Sequence, residues 1–304
     1  MSSKPHVDRS MHWKGAVATM KTARVVRSVS AVRAAVAEWR AAGDKIAFAP
    51  TMGNLHAGHM SLAALCAEAA PRVVMSIFVN PTQFGPSEDF AAYPRTLAAD
   101  EALIAGAGNV DLLFVPDAAE IYPFGLEQAV RLHLPALSRE LCGASRPGHF
   151  DGVATVVCRL LNIVTPDVLF LGQKDYQQFV LMQRMIADLA MPVDLRMGPT
   201  LREPDGLAMS SRNRYLDAAE RKQAPALYAA LSEVREQLLA GAREFSRLTA
   251  DARAKLERAG FRAEYVEIRR QGDLGAADAD RAERRIVLGA ARLGRTRLID
   301  NLFV

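Results

Sequence analysis

Short unbroken apolar runs alternate with apolar residues at helical spacing along the first two thirds of the chain. Residues 45–49, 72–79, 111–115 and 168–171 are brief continuous apolar stretches. That is the pattern of strands buried on both faces. Residues 191–197 are expected to form the last strand of this series, and 131–134 a short additional one. Between them lie helical patterns. In 25–42, Val29, Val32, Val36 and Trp39 recur at three or four, and Gly43 closes the segment. Leu62, Leu65, Cys66 and Ala69 do the same in 60–70. Further helices are expected from Thr96 to Gly106, over 153–164 before Pro166, and over 179–189. Strand–helix alternation predicts an α/β fold: a Rossmann-like, doubly wound parallel sheet with right-handed crossovers.

The pattern changes near residue 200. Residues 218–240 and 246–259 read as amphipathic helices. Residues 263–269, 286–291 and 296–301 read as strands, with a low-complexity loop at 275–280. Two helices followed by three closely connected strands predict a smaller α+β unit with an antiparallel sheet. The expected organisation is therefore a basic extension over 1–21, a Rossmann-like nucleotide-binding domain over 22–199, and a lid domain over 200–304. Residues 1–21 show no apolar periodicity and no signal-peptide core, and are expected to be disordered.

Charge and cysteine usage narrow the function classes. The 304 residues carry a net +4, but residues 1–40 hold eight Lys/Arg against two Asp/Glu, a net +6, leaving −2 for the rest. The basicity is concentrated in the N-terminal segment, so a nucleic-acid surface on the rest of the body is not indicated. Cys66, Cys142 and Cys158 have no CxxC spacing, which argues for reduced thiols in a cytoplasmic protein. No apolar run has the length of a membrane span.

The most informative stretch is Pro50-Thr51-Met52-Gly53-Asn54-Leu55-His56-Ala57-Gly58-His59. It joins a buried strand to a helix through a glycine-bearing turn, where an α/β fold binds phosphate. His56 and His59, three apart, share one face of the first turn. They could donate hydrogen bonds to phosphate oxygens; a metal-ligand reading lacks a third ligand beside them. Other polar clusters follow at strand ends: Asn80 and Gln83, then Gly172-Gln173-Lys174-Asp175 with Gln178. Met209-Ser210-Ser211-Arg212 lies in the linker, and a glycine-rich loop holds Arg146 and His149. Carboxyl ends of strands in a doubly wound sheet share one edge, so these clusters can converge on one crevice. Lys174 and Arg212 supply charge for a polyphosphate, although a Walker A motif is absent.

His-Ala-Gly-His is the HxGH signature of the nucleotidyltransferase superfamily. With Pro-Thr-Met-Gly-Asn-Leu before it, the string resembles the pantothenate synthetase (pantoate–β-alanine ligase) family. The resemblance extends through 78–85, 93–96, 148–152, 172–178 and 205–217. It implies an ATP-dependent condensation of pantoate with β-alanine through a pantoyl-adenylate, releasing AMP and pyrophosphate. It also implies that Met52, Gly53, Asn54, Leu55, His56, Ala57, Gly58 and His59 line the nucleotide site, with His59 as an acid. Gln83 and Gln178 correspond to the pantoate-holding pair, and Asn80 and His149 are added as substrate contacts. Gly172, Gln173, Lys174 and Asp175, with Leu201, Met209, Ser210, Ser211 and Arg212, correspond to phosphate and adenine contacts. Many relatives carry Glu where this chain has Gln173. Mg²⁺ is expected on the phosphates, with Asp100 as the protein carboxylate expected to ligate it, and a homodimer is implied. Two rivals differ chemically. A nucleotidylyltransferase acting on a phosphate-bearing acceptor would want an extra cationic cluster. A tRNA-binding synthetase relative would want a basic body.

Overall fold

A computed structural model describes residues 22–86, 88–134 and 136–304. The expectation for the basic extension, 1–21, lies outside the described residues. The first sheet is built from β1 (Arg24–Val26), α1 (Val29–Ala41), β2 (Ile46–Thr51), α2 (Ala57–Ala69) and β3 (Arg72–Ile77). It continues with α3 (Leu97–Ala107), β4 (Leu112–Phe114), α4 (Ala118–Ile121), α5 (Cys142–Ser145) and α6 (His149–Val164). β5 (Val168–Gly172), α7 (Tyr176–Asp188) and β6 (Asp194–Gly198) complete it. Its strand order is β1-β4-β3-β2-β5-β6, and every pairing is parallel. The order reverses between β2 and β5, so the crevice of this doubly wound sheet lies at their carboxyl ends.

Strand alternation explains the two cores. Phe48, Val74, Leu112 and Phe114 face α1, α6 and α7. Ala47, Ala49, Met75 and Leu113 face α2 and α3. Full burial of such a side chain stabilises by about 1.5–3 kcal/mol. Phe48 is fully buried, and Phe48→Ala would cost about 3–5 kcal/mol through the cavity it leaves.

The chain then forms α8 (Ala218–Gln223), α9 (Ala226–Leu239), α10 (Phe245–Arg258), β7 (Phe261–Arg270), β8 (Arg285–Leu293) and β9 (Thr296–Phe303). The three strands make an antiparallel sheet in sequence order. Leu227, Leu231 and Val234 of α9 and Leu248 and Leu256 of α10 cover one face, over Val266, Val287 and Leu298. Leu274, Ile286 and Leu288 join the core that includes α7 instead, so the second unit shares a core with the first.

Local departures from the sequence reading have physical causes. Residues 24–26 are strand, not helix, because β1 pairs in parallel with β4. The helix starts after Ser28, whose Oγ accepts from the Ala31 N–H. Residues 131–134 form no strand; the Leu132 and Leu134 N–H groups donate to the Thr155 hydroxyl and the Asp151 carboxylate. The expected helix over 218–240 is broken at Pro225, which has no N–H to continue the ladder. α6 begins at His149, four residues earlier than its apolar pattern suggested.

Candidate active site

The strand–turn–helix at residues 51–59 is held from behind. Thr51 Oγ1 donates to the Ser76 carbonyl at 2.7 Å and accepts from the Gly53 N–H. Gly53 has φ +78°, and a Cβ there would stand 2.9 Å from Ile77 Cγ2 and 3.1 Å from Asp100 Oδ2. Glycine therefore both permits the turn and makes room for Asp100. The Asp100 carboxylate accepts from the Asn54 N–H at 3.0 Å, the Leu55 N–H at 2.8 Å and Thr96 Oγ1 at 3.1 Å. It is 2% exposed. The sequence reading made Asp100 a magnesium ligand. Three of its lone-pair sites are engaged in fixing the turn, and among the described residues no group of three or more His, Cys, Asp or Glu stands ready as a metal cage.

His56 is the N-cap of α2. Its Nδ1 accepts from the Gly58 N–H, and His59 Nδ1 accepts from the His56 N–H, closing a capping box made of two imidazoles. In the neutral form each proton must then lie on Nε2, leaving that nitrogen as a donor. Burial, then the Lys174 and Arg214 charges, lower the His56 pKa to about 4. Burial, then His56 and Lys174, lower that of His59 to about 3. Both rings are neutral donors at pH 7, so in the ligand-free protein His59 has no ring proton of an imidazolium to act as an acid.

The cations of the cleft come from the other loops. Lys174 Nζ lies 3.3 Å from Asp175, and Arg212 Nη2 3.3 Å from Asp89. Burial would raise the Asp175 carboxyl, but Lys174 and then Arg212 outweigh it and hold it below the usual range. These single, long contacts are of the kind an incoming polyphosphate can replace. Ser210 caps the turn 211–215 by accepting from the Arg212 N–H. Ser211 is tied to the first loop, since its carbonyl accepts from Asn54 Nδ2 and its hydroxyl meets Tyr93 Oη at 3.3 Å.

The neutral part of the site is Gln83 and Gln178. Asn80, 1% exposed, donates Nδ2 to Gln83 Oε1 and to the Gly152 carbonyl. Its Oδ1 accepts from Tyr122 Oη at 2.7 Å. Asn80 is thus used up in orienting Gln83. His149 is similarly committed: Nδ1 donates to the Gln83 carbonyl at 2.8 Å, and Nε2 accepts from Arg146 at 2.8 Å. Burial, then Arg146, lower its pKa to about 4. Arg146 is in turn gripped by both oxygens of Glu88.

A cavity of about 230 Å³ at the His56–His59 helix start (the inner cavity) shares lining with one of about 630 Å³ toward the C-terminal sheet (the outer cavity). The inner is lined by Met52, His56, Gly58, His59, Gln83, Gly172, Leu201, Met209 and Ser211. Both share His149, Lys174, Asp175, Gln178, Ser210 and Arg212. Of the residues expected at the site, Gly53, Asn54, Leu55, Ala57, Asn80, Asp100 and Gln173 stand behind the wall. Sequence reasoning missed Tyr93, Glu88, Asp89, Asp300 and Asn301 as parts of it. Only Tyr93 carried a signal, as part of the Tyr-Pro-Arg-Thr string.

A doubly wound parallel sheet with paired histidines at a helix start, and two cationic loops across the crevice, defines an α/β protein of the HxGH nucleotidyltransferase kind. The chain belongs to the pantoate-beta-alanine ligase family, whose model matches residues 24–303. A curated pantothenate synthetase from Pseudomonas aeruginosa (strain PAO1) is 52% identical over 280 residues, covering 92% of this chain and 98% of that protein. The crystal structure of pantothenate synthetase from Thermus thermophilus matches with a TM-score of 0.83 at 44% identity, over 92% of this chain and 98% of that one. A pantoate-beta-alanine ligase from Francisella tularensis, solved with beta-gamma ATP and beta-alanine, matches with a TM-score of 0.74 at 32% identity, over 92% and 97%.

Proposed function

We propose that this enzyme makes pantothenate in two in-line steps within the one cleft. The pantoate carboxylate attacks the α-phosphorus of ATP and pyrophosphate leaves. The β-alanine amine then attacks the acyl carbon of pantoyl-adenylate and AMP leaves. The observation that carries this reading is the lining of the inner cavity. Two neutral amides, Gln83 and Gln178, share it with two imidazole donors and with Lys174 and Arg212. Amides suit a hydroxy acid; the donors and cations suit a phosphoryl group whose charge grows in the transition state.

In this reading His56 and His59 act through Nε2–H as hydrogen-bond donors to phosphate rather than as a source of protons. Gly53, Asn54 and Leu55 shape the loop that presents them, and Met52, Leu201 and Met209 offer apolar surface to the nucleotide. Catalysis is mainly positioning and charge stabilisation. Magnesium would enter on the ATP phosphates. The described residues do not form a cage for it, in keeping with the few protein ligands this ion takes, and no step here is routed through it.

The nucleotidylyltransferase rival needs unspent cations for an acceptor phosphate. Three arginines of the outer cavity already face carboxylates: Arg146 faces Glu88, and Arg292 and Arg297 share Glu264, while Arg295 packs over the Tyr215 ring. No helix among the described residues is long and apolar enough to cross a membrane. A cytoplasmic setting and a homodimer belong to the same proposal through family membership, and the three free cysteines agree with a reducing compartment. Nucleotide analysis of the complete reaction tests the chemistry. AMP formed only with pantoate and β-alanine together supports it; ADP would mean an acyl-phosphate and overturn it.

A further inference from the structure

We propose that the Asp300–Asn301 step of β9 is a positioning device that sets the separation of the two cationic loops, and that Asn301 acts through Lys174. The inference rests on the adenylate-forming reading above. Asn301 is 2% exposed and every polar atom of its side chain is used. Nδ2 donates to the Gln173 carbonyl at 2.9 Å and to the Lys174 carbonyl at 3.0 Å. Oδ1 accepts from Gln173 Nε2 at 3.2 Å. Two successive peptides of the Lys174 loop are thereby fixed by one amide. A Glu at 173 would have no N–H to give Asn301, so Gln173 and Asn301 form a matched pair in this chain.

The adjacent residue grips the other loop. Asp300 takes the Arg202 guanidinium with both oxygens, at 2.6 and 2.9 Å, and also accepts the Asn301 N–H at 2.8 Å. This fork-to-fork pairing fixes direction as well as distance. Arg202 packs over the Tyr228 ring at 4.1 Å. It is bridged across its hairpin to Ala208, and the Met209 N–H donates to the Leu201 carbonyl. The chain then runs directly into Ser210–Arg212. One dipeptide of the C-terminal sheet therefore holds the backbone of Lys174 and the root of the Ser210–Arg212 turn. A triphosphate spanning both loops meets cations whose spacing is set from behind, outside the reacting atoms.

The test uses full-length protein and pantoate-dependent exchange of labelled pyrophosphate into ATP. Asn301→Ala and Asn301→Asp are each made in the unsubstituted and in the Lys174→Ala background, with thermal unfolding followed alongside. The device predicts that kcat for exchange falls about 10- to 100-fold in both single variants, since small misplacement of a charged group costs this much. KM for pantoate should stay unchanged. On Lys174→Ala the same changes should cost less than about twofold, because residues acting as a unit are not additive. An unchanged rate in Asn301→Ala, an equal fold-loss in both backgrounds, or loss of the unfolding transition in both variants would overturn it. An unsubstituted protein that performs no exchange would instead overturn the reaction on which the device rests.

Discussion

Replacing Asp100 by Asn changes one atom and separates a buttress from a metal ligand. The carboxylate accepts three hydrogen bonds in a buried setting, two of them from the backbone of the turn that leads into His56. Oδ1 serves the Leu55 N–H and Thr96, so the new amide nitrogen is best placed at Oδ2, facing the Asn54 N–H. That donor is then left buried and unpaired, at about 1–3 kcal/mol. The remaining bonds lose their charge assistance, which roughly halves them. A total near 2–4 kcal/mol follows, or a fall in Tm of about 3–6 °C for a chain of this size. The turn carries the histidines, so kcat should drop and KM for ATP should rise together, while the Mg²⁺ concentration giving half-maximal rate stays the same. Differential scanning calorimetry and steady-state kinetics with varied Mg²⁺ measure all three. An Asp100→Asn protein with native Tm and an increased magnesium requirement would refute the buttress and restore the metal reading.

Acid should destabilise the ligand-free protein. His56, His59 and His149 have folded pKa values near 4, 3 and 4, below the unfolded value near 6.5, so the unfolded chain binds protons first. Stability is full above pH 6.5 and is lost as pH falls toward 4, on the order of several kcal/mol in all; urea unfolding across this range should show the slope, and His149→Gln should flatten it. Gly152→Ala should cost about 1–3 kcal/mol by overpacking, because its Cβ would meet the Thr82 carbonyl and stand 2.7 Å from the Gln83 nitrogen; KM for pantoate should rise more than KM for ATP. Lys174→Ala should lower turnover by about 10²-fold or more with Tm within about 2 °C; a native rate would remove Lys174 from the site.

What could be read in the sequence was local. Residues 45–62 state their structure in order: an apolar strand, a glycine that tolerates positive φ, then paired histidines at a helix start. The parallel sheet followed from strand–helix alternation, and the antiparallel unit from the change of pattern near 200. The misses lie where a partner distant in sequence decides. Val25 and Val26 continue a helical spacing, yet pairing with β4 captures them. Residues 131–134 have strand composition, but their N–H groups are taken by side chains of α6. Asp100 lies far along the chain from the turn it supports, and nothing near it signals that task. Asn80 and His149 were read as substrate contacts, but their polar atoms are engaged by Gln83, Gly152, Tyr122 and Arg146. Asn301 sits in a strand whose alternation gives no sign that its amide reaches the Lys174 loop.

The central claim is that carboxylate activation precedes and does not need the amine. The amine of β-alanine, like that of a lysine side chain, is mostly protonated at neutral pH and becomes a nucleophile only after losing that proton. Enzyme, Mg-ATP and pantoate should therefore exchange labelled pyrophosphate into ATP with no β-alanine present, and omitting pantoate should abolish the exchange. Exchange that requires β-alanine would contradict a free-standing adenylate step. Exchange indifferent to pantoate would contradict the role given to Gln83 and Gln178.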